Sequence, residues 1–333
     1  MRECTTLKQL TSLKCSHIIR GDNNRRGRRG QWITLLDDHL FHDDCTRFLA
    51  HIAKEVPPFD FTFLDPPFNQ GKEYREHDDR LADGEYWNWM RDVCKLTLDH
   101  SSQGAAMYFM QREKNAENVL RVLRESGWHF QNLIVWRKKT SAVPSQVRFG
   151  KAYQVIAFAT KGPRARVFNR LRIDPPVPNG YKPREKGMFV TDVWDDIREL
   201  TSGYYAGDEA LRHKDGERVH KQQSPIALLL RMILSSTDPG DCVFDPFAGT
   251  GTTLVVASQL SRVGVGVEKD AVNYDYIEAR LRDARDADSI TQYRADYIHT
   301  PSLSEIWPVG QAGHSANGTA SALLNESVPV LVD

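Results

Sequence analysis

Two short stretches of this chain carry residues whose types and spacing can do chemistry. The first is Asp65-Pro66-Pro67-Phe68. An amine attached to an aromatic ring is a poor nucleophile, because its lone pair is delocalised into the ring. An acceptor at each N–H favours a pyramidal nitrogen and localises that lone pair. Asp65 offers a carboxylate oxygen, and the Pro66 carbonyl offers a second acceptor that the prolines, Pro67 included, hold in a fixed direction. Phe68 offers a π face on which a planar base can stack. The second stretch is Asp245-Pro246-Phe247-Ala248-Gly249-Thr250-Gly251-Thr252-Thr253. Gly249 and Gly251 suit a tight turn, where the missing Cβ permits positive φ and lets a ligand approach the backbone. Thr252 opens a helix whose amide-rich N-terminus favours electron-rich ligand atoms. Glu268 stands about twenty positions further on, the placing of an acid that accepts both hydroxyl hydrogens of a ribose diol.

Each stretch alone has an ordinary reading, the first as a proline-terminated strand and the second as a strand-to-helix turn. A phosphate loop is excluded, because no Lys precedes Thr252 in a Walker pattern. A nicotinamide-binding fold is possible, but GxGxxG is absent, since Leu254 stands three after Gly251.

The elements that must position these residues alternate between strand and helix patterns. Apolar, β-prone runs at 31–36, 59–64, 105–110, 128–136, 153–160, 242–244 and 263–267 read as strands. Helical spacing covers 47–54, 85–98, 115–126, 252–260 and 273–282. A further helix runs to 235, with Ser224 as its cap and Pro225 in its first turn. Residues 69–84 and the basic stretch 137–151 read as loops, and Trp87 and Trp89 as packing residues of the 85–98 helix. The pattern predicts an α/β sheet fold.

Composition narrows the class. The 333 residues carry a formal net charge of +0, so no global field advertises a nucleic-acid partner. The charge is uneven, however: Arg20, Arg25, Arg26, Arg28 and Arg29 gather in a basic arm over 1–30. Five scattered cysteines with no CxxC argue against a disulfide framework and against structural zinc, and no metal site is expected. No apolar run is long enough to span a membrane, and a cytoplasmic enzyme is expected.

Taken together, Asp65-Pro66-Pro67-Phe68 and the later glycine loop resemble the catalytic tetrapeptide and the S-adenosylmethionine loop of amino-group DNA methyltransferases. Chemistry before cofactor is the permuted order of that family's beta group. The resemblance covers most of 35–282. It implies a Rossmann-like methyltransferase fold, a mostly parallel sheet with helices on both faces, and S-adenosylmethionine as cofactor. Its substrate would be double-stranded DNA in a prokaryotic or phage modification system, with a cognate restriction endonuclease and a second copy of the chain as candidate partners. Asp43-Asp44-Cys45 is similar to the family's Gly-Asp-Cys segment, which implies that Asp44 approaches the cofactor adenine. His220, Gln223 and Pro225 resemble a His-x-x-Gln-Lys-Pro segment in which Ser224 replaces the usual Lys. The resemblance further implies cofactor contacts from Asp245, Pro246, Phe247, Gly249, Gly251, Thr252 and Glu268. Trp136-Arg137-Lys138 is similar to the segment beside the target base. Tyr153-Gln154 departs from the His-Glu that family members often carry at the next strand.

On this reading the chain divides into a basic arm (1–30), a catalytic half (31–161), a target-recognition region (162–219), a cofactor half (220–286) and a tail with at most short elements (287–333). Arg164, Arg166, Arg170, Arg172, Lys182, Arg184 and Lys186, with Trp194 and Tyr204-Tyr205, make 162–219 the expected reader of DNA. Arg137, Lys138, Lys139 and Arg148 are expected to share that work. Asp at the head of the tetrapeptide favours adenine N6 over cytosine N4, where Ser is commoner. Cytosine C5 is excluded, because that chemistry commonly uses a Pro-Cys thiolate and the chain has none. A catalytically silent DNA-binding module with the same fold is the alternative from another class.

Overall fold

The computed structural model describes residues 39–308, apart from 72–78, 140–145, 175–181, 183, 201–206, 213–215, 217 and 220–222. The strand expected at 31–36, the basic arm, His220 and Tyr204-Tyr205 lie outside the described residues.

An eight-stranded sheet forms the centre, in the order β1-β10-β9-β2-β3-β5-β4-β8. These strands are β1 (His39–His42), β2 (Phe59–Leu64), β3 (Ser101–Arg112), β4 (His129–Arg137), β5 (Tyr153–Thr160), β8 (Val193–Trp194), β9 (Cys242–Asp245) and β10 (Val263–Glu268). A separate ribbon pairs β6 (Arg172–Ile173) with β7 (Met188–Phe189). All strand pairs of the main sheet are parallel except those of β5, which runs against both β3 and β4. The α/β, mostly parallel architecture expected from the sequence is what forms.

Side chains alternate across the sheet as the period of two demands. Phe61 and Phe63 of β2 and Tyr108 and Met110 of β3 point to one face, under α4 (Ile226–Ser236) and α5 (Thr252–Gln259). Phe59, Met107 and Phe109 point to the other, under α1 (Cys45–His51), α2 (Asp83–His100) and α3 (Ala116–Glu125). On that second face Phe59 of β2 stacks on Phe244 of β9 with ring centroids 4.0 Å apart, locking the two strands that carry the site. Gly266 of β10 lets α5 approach closely: a Cβ there would lie 2.6 Å from Leu254.

Three local expectations change. Helix α2 begins at Asp83, inside the loop expected over 69–84, because buried Tyr86 and Trp87 already belong to its apolar face. Ser224 does not cap α4. Pro225 holds the cap position with no side-chain bond, and Glu209 Oε1 accepts from the Ile226 N–H at 2.6 Å instead. Residues after 286 do form short elements, including α7 (Leu303–Ile306), but they pack as core, with Ile290, Tyr297, Ile306 and Trp307 buried against α4. The guanidinium of Arg231, buried in the middle of apolar α4, is matched by Asp196 and by Tyr297 Oη.

Strands β9 and β2 are neighbours, yet the helices that follow them, α5 and α2, cover opposite faces. A crevice must therefore open at their carboxyl ends, which is where an open α/β sheet binds ligands. Among the described residues no helix is long and apolar enough to cross a membrane.

Candidate active site

The cleft at those carboxyl ends is lined from β1, β10, β9 and β2, with Gln223 and Ser224 closing one side and Trp89 of α2 the other. It brings Asp65, Pro66 and Pro67 together with Asp44, Asp245, Pro246, Phe247, Gly249, Thr252 and Glu268, residues that are far apart in sequence.

Asp65 follows the last residue of β2 and is half-buried. Its Oδ2 accepts a hydrogen bond from Ser224 Oγ at 3.1 Å. The Pro67 carbonyl accepts from Tyr86 Oη at 2.8 Å, and Tyr86 Oη accepts in turn from buried Gln111 at 3.0 Å. Burial pushes the Tyr86 phenol up, so it stays a donor. The turn after the motif is clamped by Asp79, whose carboxylate accepts the N–H groups of Asn69 (2.7 Å) and Gln70 (2.9 Å). Among the described residues no donor engages the Pro66 carbonyl, which leaves it available as the second acceptor. Phe68 departs from expectation. It is 4% exposed and does not line the cleft, so its π face is not presented to a ligand there. The aromatic at the cleft wall is Trp89, expected to be packing only. Its Nε1 donates to Thr46 Oγ1 at 3.1 Å, and its ring meets Phe247 edge-on at 5.6 Å.

The glycine loop is braced from several sides. Buried Asp245 accepts from the Phe247 N–H at 3.0 Å and from Thr253 Oγ1 at 2.6 Å, and burial raises its pKa to about 6. Gly249 has φ +55°, and a Cβ there would meet only Phe247 O, at 3.7 Å. Gly251 (φ +74°) does not line the cleft. It is the left-handed cap of α5, and a Cβ there would strike Ile277 at 2.6 Å, so its glycine serves packing. From behind, buried Arg280 donates to Thr250 O (2.8 Å) and Thr252 Oγ1 (3.2 Å) and is held by Asp288 (2.7 Å), a brace no short motif announced. Glu268 ends β10 with Oε2 on the Gly249 N–H (2.7 Å) and Oε1 on the Asp270 N–H (2.8 Å). Its burial lifts the pKa to about 7, with the neighbouring Asp270 charge adding to the rise. The Asn273 side chain is a third donor to this carboxylate, which with about four acceptor sites has room for a further one.

Asp44 lines the cleft but also caps α1 through the Thr46 N–H at 3.0 Å and faces Lys269 at 3.4 Å. Buried Asp43, standing where Gly was the pattern, pairs with Arg47. The Gln223 amide is spent on the backbone of Leu211 and Glu209. The cleft is thus lined by six carboxyl groups (Asp43, Asp44, Asp65, Asp245, Glu268, Asp270) against one lysine, Lys269. That charge, a diol acceptor in Glu268 and open space over Gly249 suit a cationic ligand carrying a ribose. Among the described residues no cluster of His, Cys, Asp or Glu is placed to hold a metal ion.

The basic residues divide between two edges of the sheet. Arg137, Lys138 and Lys139 leave the carboxyl end of β4, on the cleft side, and Arg148 is exposed in the loop that returns to β5. The Lys138 ammonium sits 5.8 Å over the Trp136 ring, and the Trp136 indole donates to Ile197 O at 3.0 Å. Burial lowers the Lys138 pKa, opposed by the charges of Glu199, Asp65 and Glu113, which places this lysine within electrostatic reach of Asp65.

Because β5 is antiparallel, the chain emerges at Thr160 on the opposite edge. There Arg166 bonds Gly104 O through its backbone and pairs with Asp60, at the start of β2, and with Asp241. Asn169 bonds the end of α4, and Arg170 and Arg172 stack on Phe189 of β7. Arg164, Lys182 and Arg184 belong to the same stretch of chain. The length of β2, about 17 Å at ~3.3 Å per residue, separates this edge from Asp65. Arg166 therefore stands at the edge opposite the catalytic loop, with its guanidinium engaged by Asp60 and Asp241. Trp194, expected as a reader, is buried in β8 with Arg231 over its ring. Among the described residues the 162–219 region returns to the cleft edge from β8 onward, where Glu199 accepts the Lys139 N–H at 2.8 Å.

A family model described as DNA methylase, N6_N4_Mtase, matches residues 59–279. The chain is 28% identical over 251 residues to the type II methyltransferase M.HpaI of Haemophilus parainfluenzae, covering 73% of each. Among solved structures it is similar to M1.HpyAVI in complex with SAM (TM-score 0.50, 20% identity, 74% of this chain and 99% of that one). It is also similar to the PvuII DNA methyltransferase, cytosine-N4-specific (TM-score 0.55, 17% identity, 78% of this chain and 90% of that one).

Proposed function

The chain belongs to the N6/N4 DNA methylase family, and from that premise we propose that it methylates the N6 amino group of adenine at a specific sequence in double-stranded DNA. It would do so as the modification enzyme of a restriction–modification or related system, with S-adenosylmethionine as the methyl donor. The observation that carries the reading is Asp65, held by Ser224 at the mouth of an acidic cleft whose far end is Glu268. When bound, the cofactor supplies an electrophilic methyl group on a sulfonium. The surplus of carboxyl groups over the one lysine makes the cleft favour its cationic charge. Glu268 accepts the ribose hydroxyls and Asp44 approaches the adenine. Asp65 and the Pro66 carbonyl each accept one N–H of the target amine, which keeps its lone pair localised. No covalent enzyme intermediate is required.

Asp rather than Ser at the head of the tetrapeptide supports adenine over cytosine. M.HpaI is by name a type II methyltransferase, which supports a modification role. Sequencing DNA from cells expressing the chain with a method that reads both N6-methyladenine and N4-methylcytosine tests base and site together. Methyladenine at one recurring sequence is the expected result. N4-methylcytosine would overturn the base assignment, and unmodified DNA would favour a silent DNA-binding module.

Ser224 stands where the family pattern has Lys, and its hydroxyl orients Asp65. Ser224→Ala should lower kcat about tenfold, the scale of one hydrogen bond to a charged group, while cofactor affinity stays within about twofold. Single-turnover methylation beside calorimetry separates the two, and an unchanged kcat would remove Ser224 from the site.

A further inference from the structure

The loop that returns from β4 to β5 carries two apolar side chains in full solvent, Phe149 at 97% exposure and Val147 at 91%, on either side of Arg148. Among the described residues nothing covers the Phe149 ring, and the loop is rooted at the carboxyl end of β4, on the cleft side. The Lys138 N–H bonds Ala152 O at 2.8 Å, and Lys138 is the lysine whose charge feels Asp65. Two residues lie between Phe149 and Ala152, so three chain steps limit the reach to at most about 11 Å. The surroundings are cationic: Arg137, Lys139 and Arg148 are exposed, and Lys151 is half-buried on Glu113 at 3.2 Å.

An exposed phenylalanine next to Arg148, in a loop that starts from Arg137 and Lys139 on the cleft side of the sheet, matches one occupant, a DNA duplex opened at a single base. An amine inside a stacked duplex cannot reach Asp65, so the target base must leave the stack, and the gap it leaves exposes the faces of its neighbours. Apolar wedges that enter a base step compensate such unstacking, and nearby cations hold the phosphates on each side. We propose that Phe149 is that wedge. It inserts into the duplex as the target base turns toward Asp65, with Arg148 and Lys139 on the flanking phosphates. The proposal rests on the DNA-methylation reading and adds the residue that opens the substrate. It also gives a use to an edge of the cleft that Arg166 does not reach.

The test compares two duplexes containing the mapped site, one fully paired and one with the base opposite the target removed, so that the target is already unpaired. Wild-type enzyme, Phe149→Ala and Phe149→Leu are assayed under single turnover on the adenine duplexes, and a parallel set with 2-aminopurine in place of the target adenine, which has no 6-amino group to methylate, reports unstacking alone. Phe149→Ala should slow methylation of the paired duplex about tenfold or more and lose most of the fluorescence rise, since unstacking costs a few kcal/mol. On the unpaired duplex it should run within about threefold of wild type. Phe149→Leu, which keeps an apolar wedge, should recover most of the paired-duplex rate. An equal loss on both duplexes, or no loss on the paired one, would overturn the wedge. The wild-type rate itself tests the parent reading: an inactive wild type on both duplexes would overturn DNA methylation, and the wedge with it.

Discussion

Replacing Asp65 with alanine is expected to lower single-turnover methyl transfer at least about a hundredfold, the scale for removing a positioned catalytic group. Cofactor affinity should stay within about twofold, because Asp65 lies at the β2 end of the cleft and the diol acceptor Glu268 lies at the β10 end. Two features argue for so large an effect. The Ser224 hydroxyl fixes the carboxylate, and Tyr86 with Gln111 and Asp79 fixes the loop behind it. The acceptor is therefore preorganised, and neither water nor a neighbouring side chain reproduces its geometry when it is removed. Asp65→Asn is the sharper probe. It keeps the volume but brings an N–H₂ group toward the target amine, so it should be at least as inactive as alanine. Turnover above about a tenth of wild type in either variant, on a scale of 10² for such groups, would remove Asp65 from the chemistry.

The strands that build the cleft were legible because each is a short apolar run ended by a residue of distinct chemistry. Phe59 to Leu64 ends at Asp65, Cys242 to Phe244 at Asp245, and Val263 to Val267 at Glu268. In a parallel sheet, residues that end strands share one edge, so motif and topology point to the same place. The target-recognition assignment was harder for a definable reason. Counting arginines over 162–219 says nothing about which edge of the sheet they reach. That is fixed by β5, whose antiparallel course returns the chain to the amino edge at Thr160 and leaves Arg166 to pair with Asp60 and Asp241. The return over 138–152 held that information, since it reads as a loop without a helix, whereas parallel neighbours are usually joined through one.

The placing of Phe68 and Trp89 differs from expectation for a similar reason, Phe68 being buried and Trp89 lining the cleft. Local spacing puts Trp89 on an amphipathic helix, but only the packing of α2 against α1 and the glycine loop shows that its ring closes the cleft. The Arg280–Asp288 brace joins a helix to residues that read as the start of a tail, and no local pattern signals such a pair. Arg280 and Arg285 hydrogen-bond the buried Asp288 carboxylate at 2.7 Å each and hold its pKa down near 2, tying that segment to the cofactor half.

Glu268 should make cofactor binding depend on pH. Burial places its folded pKa at about 7, above the ordinary carboxylate range, so near neutrality the ligand-free protein carries this group partly protonated. A ribose diol donates hydrogen bonds and prefers the carboxylate, so binding must draw the pKa down. The sign follows: affinity for S-adenosylmethionine should rise with pH between about 6 and 8 and level off above, losing up to about tenfold per unit below the pKa. Asp245 titrates near 6 but has both oxygens committed to Thr253 and the Phe247 N–H, so its protonation loosens the loop and does not remove a ligand contact. Glu268→Gln separates the two. It should bind about tenfold or more weakly at pH 8, the cost of losing a charge-assisted acceptor, and its affinity should be flat where the wild type slopes. Gly249→Val approaches the same site from the open side of the loop, where a side chain meets almost nothing of the protein and must occupy the ligand's space. Calorimetry at several pH values on both variants decides the matter. A wild-type slope that survives in Glu268→Gln would move the titrating group elsewhere, and unchanged affinity in both variants would move the cofactor site itself.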